Sequence, residues 1–287
     1  MNHLQQNHDD DHDKSLAEVL ADLHARQQIS RRAALRRLGG AGLILSPLGA
    51  MAAVGCGEAV DGEAIFSGGT TVSSCTVIPT ETGGPYPGDG TNGPNVLTQS
   101  GIVRSDMRSS FGASGSNVAA GVVLTQTIQL VNTNSSCASL AGYAIYLWHC
   151  TANGLYSMYS SGVTGENFLR GVQQTDASGT VTFTTIVPGC YSGRVPHMHF
   201  EIYRSLTTAA TSGTNALKTS QLTYDRATLT AFYAAAGSTY GNSAANHAAT
   251  SLTTDGIFSD GYSTQLATLT GSVAAGYASS LTVGIAA

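Results

Sequence analysis

The chain has 287 residues, of which 42% are apolar and only 11% are charged, against roughly a quarter charged in an average globular domain. Its 13 basic and 18 acidic residues give a net charge of −5, so it lacks the basic surface with which proteins bind DNA or RNA. Nucleic acid is therefore excluded as a partner, and the length suffices for one large domain or two small ones.

Residues 1–55 have the layout of an export signal. Arg31 and Arg32 precede a mildly apolar, Gly- and Ala-rich run at residues 38–55, an order that resembles a twin-arginine signal. A membrane-spanning anchor is the alternative, but Pro47 and the glycines of this run make a weak spanning helix. We therefore expect residues 1–55 to direct export.

Two interpretations of the cleavage position remain open. Residues 53–56 (AVGC) resemble a lipoprotein box, whereas residues 50–52 (AMA) suit an ordinary signal peptidase. We favour Cys56 as a lipid-bearing N-terminus, with residues 56–74 as a flexible tether. The protein is then expected to be periplasmic, anchored to a membrane as a lipoprotein, or extracellular.

Four cysteines remain when Cys56 is set aside, namely Cys75, Cys137, Cys150 and Cys190. An even number in an exported chain indicates disulfides, and four cysteines allow three pairings. None of them has the CxxC spacing, which disfavours a zinc knuckle.

Residues 75–287 predict one β-rich domain. Short alternating or β-branched runs are separated by turn residues, and one helix is predicted at residues 226–235. This spacing predicts an all-β fold, an antiparallel β-sandwich with few short helices. The predicted strands lie at residues 122–131, 144–148, 181–186, 197–203 and 281–285.

The run HMHFEIY at residues 197–203 carries the first candidate site. Its period of two sends Met198, Phe200 and Ile202 to the core face and sends His197, His199 and Glu201 to the opposite face. The two imidazoles are then within reach of one metal ion, although a pair of surface histidines is the alternative.

Two other strand ends each present a tyrosine. Tyr156 follows a glycine-containing turn in WHCTANGLYS, and Tyr191 follows a Pro-Gly turn in PGCYSGR, three residues before Arg194. Three strand ends can therefore converge on one point.

These residues form part of a longer set of ordered motifs. From about Cys75 onward, the chain resembles the intradiol ring-cleavage dioxygenases, the catechol and protocatechuate type. The motifs are TGGPY at 82–86, RSD at 104–106, the segment around Tyr156, FLRG at 168–171, TD at 175–176, PGCYSGRVPHMH at 188–199, and Gln221.

The resemblance implies a β-sandwich of that type and a non-haem Fe(III) bound by Tyr156, Tyr191, His197 and His199, with a hydroxide. Two phenolates are hard anionic donors that favour ferric over ferrous iron. Zinc is an alternative, although tyrosine is a rare zinc ligand. A two-histidine, one-carboxylate Fe(II) site that uses Glu201 is another.

The resemblance also implies the reaction and the other site residues. A catecholic substrate would be cleaved between its two hydroxylated carbons, with insertion of both atoms of O2, to give a muconate-type dicarboxylic acid. Arg194 would stabilise negative charge on the ring, unless it forms an ordinary ion pair. Gln221 would help to hold the substrate, unless it only makes a strand-edge hydrogen bond. Residues Gly84, Pro85 and Tyr86 would line the pocket.

Some positions depart from the family pattern. Gly83 and Thr151 stand where relatives often carry acids, and Cys190 replaces what is often a large aromatic residue. Since Cys150 and Cys190 both lie at strand ends near the implied iron, we expect them to form one disulfide and Cys75 and Cys137 to form the other. His149 is not expected to be a ligand, and His247 is expected at the surface.

A different class of function remains as the alternative, a non-catalytic extracytoplasmic β-sandwich that binds a sugar or a protein. Retention of four candidate metal ligands and an arginine argues against it. A serine hydrolase is disfavoured because no GxSxG motif is present. The sequence specifies neither which catechol is the substrate nor the oligomeric state.

Overall fold

The computed structural model describes residues 75–287. The predicted export signal, the tether and Cys56 lie outside the described residues. Three α-helices are found within residues 75–287, besides short 3-10 turns: α1 (Leu206–Ala209), α2 (Arg226–Ala235) and α3 (Ser243–Ala248). The strands of this part are β1 (Val123–Asn132), β2 (Ala138–Ser139), β3 (Ala144–Trp148), β4 (Arg170–Gln174), β5 (Thr180–Ile186), β6 (His197–Tyr203), β7 (Lys218–Tyr224), β8 (Leu266–Ala267), β9 (Thr270–Ser272) and β10 (Gly276–Ile285).

The strands form two sheets, and the predicted β-sandwich is confirmed. The first sheet has the order β2-β1-β10-β9, with β5 also paired to β1, and the second has the order β4-β3-β6-β7-β8. Most pairings are antiparallel, but β1 pairs with β10 and β7 with β8 in parallel. The sheets are therefore mixed, with the expected antiparallel pairing in most places and parallel pairing at these two.

The main core lies between the two sheets. Alternate apolar residues of β1 and β10, such as Leu124, Ile128 and Val283, pack with Met198 and Phe200 of β6 in one buried cluster. This arrangement follows from the period of two along each strand, which sends every second side chain to the same face.

A second buried cluster lies on the other face of the second sheet. Tyr146 and Trp148 of β3 pack there with Val96, Leu97 and Ile102 of the segment that precedes β1. Backbone hydrogen bonds hold this segment against the sheet, for example Val172 N to Ile102 O at 2.8 Å. Strand β6 is buried along its whole length, so the alternative of a pair of surface histidines is wrong.

The structure corrects half of the disulfide prediction. Cys75 and Cys137 are joined, as expected, whereas Cys150 and Cys190 are buried free thiols. Their sulfurs face backbone carbonyls, at 3.5 Å for Cys150 to Gly189 O and 3.3 Å for Cys190 to Arg194 O. Burial raises the pKa of both thiols to about 12, so both stay protonated and unreactive at neutral pH.

Helix α2 covers the predicted range, with the Asp225 carboxylate accepting from the backbone N–H of Thr228 at its start. Within residues 75–287, no helix has the length and hydropathy needed to cross a membrane.

Candidate metal centre

Strand β6 places His197 and His199 on the same side of the second sheet, and both are almost fully buried. His197 Nδ1 donates to the carbonyl oxygen of Val195 at 2.6 Å, which fixes the tautomer and leaves the lone pair on Nε2 free. The His199 ring stacks on Trp148, with ring centroids 5.0 Å apart. Both imidazoles are therefore held rigidly before any ligand binds.

The two tyrosines come from two loops that are fastened together. Tyr156 lies in the loop after β3, and Tyr191 lies in the loop between β5 and β6. Ser243 of α3 links the two loops, since its Oγ accepts from Cys190 N at 2.9 Å and donates to Ala152 O at 2.8 Å.

A glycine is required where these loops touch. A Cβ at Gly154, whose φ is +87°, would lie 3.0 Å from the Cβ of Tyr191. The position of Tyr191 therefore depends on a residue without a side chain in the loop that carries Tyr156.

The four predicted side chains meet at one point. Tyr156 Oη lies 3.4 Å from His197 Nε2 and 3.3 Å from His199 Nε2, and Tyr191 Oη lies 3.1 Å from His197 Nε2. Ligands bound to one ion at about 2.0–2.1 Å, with angles of about 90–110°, lie about 2.9–3.4 Å from each other. The donor atoms therefore have the spacing of ligands around a single ion.

The protonation states suit a highly charged metal ion. Burial lowers the pKa of His197 and of His199 well below 6.5, so both are neutral imidazoles, the form that binds metals. Burial raises the pKa of Tyr156 well above 10 and that of Tyr191 to about 12. The phenols stay protonated without a strong cation, and a trivalent ion can hold them as phenolates.

The structure does not support the two alternative metal sites. Within residues 75–287, no group of three or more His, Cys, Asp or Glu side chains is arranged to hold a metal. Glu201 instead accepts a short hydrogen bond from Tyr203 Oη, and burial raises its pKa to about 8. Glu201 is therefore paired with Tyr203 and is protonated more readily than an ordinary carboxylate.

Arg194 and Gln221, the predicted catalytic pair, lie beside these donors and contact each other. Arg194 Nη1 is 3.4 Å from His197 Nε2, and its Nη2 donates to Gln221 Oε1 at 2.8 Å. Gln221 Nε2 in turn donates to the carbonyl oxygen of Thr82 at 2.9 Å. Arg194 also forms a buried ion pair with Asp255 at 2.9 Å. The side chain thus makes the ion pair considered as an alternative and also lies beside the converging donors.

The predicted pocket loop reaches the same place. Gly84 has φ +71°, and a Cβ there would lie 3.3 Å from His199 Cε1. The Tyr86 ring packs against the Tyr156 ring, with centroids 5.0 Å apart. Pro85 lies between Gly84 and Tyr86, and its carbonyl oxygen accepts from Asn92.

Arg170 fastens this loop to the Tyr156 loop. Its guanidinium is buried and donates to the backbone oxygens of Tyr86, Pro87 and Ser157, to Tyr146 Oη and to Ser157 Oγ, at 2.6–3.0 Å. Five neutral acceptors thus depend on one side chain.

We expect Arg170→Leu to lower the free energy of unfolding by at least about 3 kcal/mol, because several buried acceptors lose their donor. Urea unfolding measures the change. Arg108→Leu is the matched control: it breaks the exposed ion pair with Asp106 and should cost less than about 1 kcal/mol. Equal losses in both variants would contradict this role of Arg170.

Residues 93–211 match the model of a protein family described as dioxygenase. This range contains all four converging side chains and Arg194. Among solved structures, an intradiol ring-cleavage dioxygenase from Tetranychus urticae is 24% identical, has a TM-score of 0.56, and is matched over 74% of this chain and 95% of its own. The resemblance to the intradiol ring-cleavage dioxygenases is confirmed.

A second solved structure is also similar to the chain. The dioxygenase domain of a dioxygenase and carbohydrate-binding protein fusion from Streptomyces sp. SirexAA-E is 20% identical, with a TM-score of 0.45, over 73% of this chain and 98% of its own. No curated protein sequence matches the chain.

Sequence reasoning missed several residues that shape the candidate site. Ser243 and Asn246 of α3 anchor Cys190, the residue before Tyr191, and Asp255 binds Arg194. All three lie in Ala- and Thr-rich sequence without a motif, and only the fold brings them to the site. His247, expected at the surface, is 3% exposed and contacts Thr230 Oγ1.

Proposed function

We propose that this protein is an exported non-haem Fe(III) intradiol dioxygenase that cleaves a catecholic ring with O2 to a muconate-type dicarboxylic acid. The observation that carries the proposal is the convergence of two phenol oxygens and two imidazole nitrogens at 3.1–3.4 Å. Tyr156, Tyr191, His197 and His199 would hold the ion.

Bound ferric iron would supply Lewis acidity, which withdraws electron density from the catechol and makes a ring carbon reactive toward O2. The chain's own residues move and hold the protons. Tyr156 Oη lies close to both imidazoles, and as a phenolate it would accept a proton from a catechol hydroxyl, in line with the role that the family resemblance implies.

Arg194 and Gln221 would orient the substrate and stabilise charge. The Nη1 group of Arg194 faces the donor cluster at His197, where it can donate to an oxygen or to charge that develops on the ring. Gln221 holds Nη2 and so fixes the plane of the guanidinium. Gly84, Pro85 and Tyr86 would form the wall that keeps water from the ring.

Oxygen uptake tests this function. Protein reconstituted with ferric salt should consume one O2 per catechol and yield the ring-opened dicarboxylic acid, and a panel with catechol, protocatechuate and hydroxyquinol identifies the preferred ring. Iron-free protein is the control. A reconstituted protein that binds iron and catechol but consumes no O2 would contradict the activity, and one that binds neither would favour a non-catalytic binding module.

We further propose that residues 1–55 direct export and that Cys56 carries a lipid. The Cys75–Cys137 disulfide supports an oxidising destination. Replacing Arg31 and Arg32 with lysines should retain the protein in the cytoplasm, and Cys56→Ala should release it from the membrane fraction. Cell fractionation of each variant decides both proposals.

A further inference from the structure

Asp255 is a buried carboxylate in the loop between α3 and β8, and it is 2% exposed. Its two oxygens accept from Arg194 Nε at 3.1 and 2.9 Å and from the backbone N–H of Val195 at 2.8 Å. The backbone N–H groups of Ile257 and Phe258 donate to Oδ1 at 2.9 and 3.3 Å. Because every one of these partners is an N–H donor, both carboxyl oxygens of Asp255 must accept.

The ion pair uses only one nitrogen of the guanidinium. Because Asp255 engages Nε, both terminal nitrogens of Arg194 remain for the site, where Nη2 reaches Gln221 and Nη1 reaches His197. An arginine side chain has many rotamers, and a bond at Nε removes most of them without covering the groups that face a substrate.

A second connection from Asp255 leads to a candidate metal ligand. The residue whose N–H it accepts, Val195, is also the residue whose carbonyl oxygen accepts from His197 Nδ1. One carboxylate therefore fixes the backbone that orients His197 and the guanidinium that lies beside it.

We propose that Asp255 is the positioning residue of the site, which aims the terminal nitrogens of Arg194 at the bound substrate. This inference rests on the proposed function. A buried carboxylate destabilises the fold unless it is paired and hydrogen-bonded. Here Asp255 bonds Arg194 and Val195, which contact the site, and the backbone of its own loop.

A double-mutant cycle tests the inference on the iron-loaded full-length protein. Asp255→Asn keeps the shape of the side chain but replaces one accepting oxygen with an NH2 group, which faces an N–H donor. This variant should lower kcat by roughly 10- to 100-fold. Because Arg194 is then no longer aimed, adding Asp255→Asn to Arg194→Gln should lower kcat by less than threefold. If the double variant instead loses kcat by the product of the two single losses, the residues act independently and the proposal is overturned.

Two further readouts separate positioning from general destabilisation. Asp255→Asn should keep one iron per chain and its visible absorption band, while anaerobic catechol binding weakens less than kcat falls. Asp106→Asn is the matched control, because it removes a carboxylate from an exposed ion pair with Arg108 and should leave kcat within twofold. Unchanged kcat in Asp255→Asn would also overturn the proposal.

Asp255→Glu keeps the experiment decisive if Asp255→Asn does not fold. It retains the charge but displaces the carboxylate, so kcat should fall by roughly 10-fold with full iron content. The proposed function fails separately, if the wild type binds iron and catechol without O2 uptake. In that case, the same cycle read by anaerobic catechol affinity still measures the coupling between Asp255 and Arg194.

Discussion

Tyr191→Phe should yield a protein that folds but neither retains ferric iron nor turns burgundy on reconstitution. The variant removes one phenol oxygen, which lies 3.1 Å from His197 Nε2, and leaves the ring and its packing intact. Loss of an outer hydrogen bond at a metal site costs roughly 10- to 100-fold in affinity, so loss of an anionic ligand should cost more. Iron content after dialysis and the visible spectrum measure the effect.

The matched control is Tyr224→Phe. Tyr224 is more deeply buried than Tyr191, and its hydroxyl donates to Gln126 Oε1 at 3.0 Å in the core between the sheets, away from the converging donors. This variant should lose about 1 kcal/mol of stability and keep one iron per chain. A Tyr191→Phe protein with wild-type iron content and colour would show that Tyr191 is not a ligand.

Gly84→Ala should weaken iron binding through a single methyl group. The backbone there has φ +71° and the new Cβ would lie 3.3 Å from His199 Cε1, so either the loop or the imidazole must move. The positive φ alone should cost about 1–2 kcal/mol, and the displaced imidazole adds a loss of metal affinity.

Gly115→Ala separates the two effects. Gly115 also has a positive φ, +79°, but no atom lies within 4 Å of the Cβ position. Because Gly115 also has ψ −149°, a region open almost only to glycine, the variant should lose at least as much stability in urea unfolding and still bind iron normally by titration. Gly84→Ala with wild-type iron affinity would mean that the approach of the loop to His199 does not matter.

The sequence predicted the elements with strong local patterns. The bounds of β3, β6 and α2 agree with prediction to the residue, because each combines apolar periodicity with clear turn or cap residues. Strand β7 was missed, since KTSQLTY contains few apolar residues and its central position between β6 and β8 is set by the rest of the sheet.

The candidate site was predictable as a set of residue types, and its environment was not. Alternation along β6 placed His197 and His199 on one face of the strand but left open whether that face is exposed, and the structure buries the whole strand. The second disulfide was expected because Cys150 and Cys190 both follow strands near the site. Side-chain direction, which spacing does not reveal, turns the two sulfurs toward different carbonyl oxygens.

Titration of the metal-free protein with ferric iron, followed by visible absorption, tests the central claim most directly. We expect saturation at one equivalent of iron per chain, with a broad tyrosinate-to-iron band and a burgundy colour. A colourless protein at saturation, or one that takes up no iron, would show that the two phenols and two imidazoles do not share an ion.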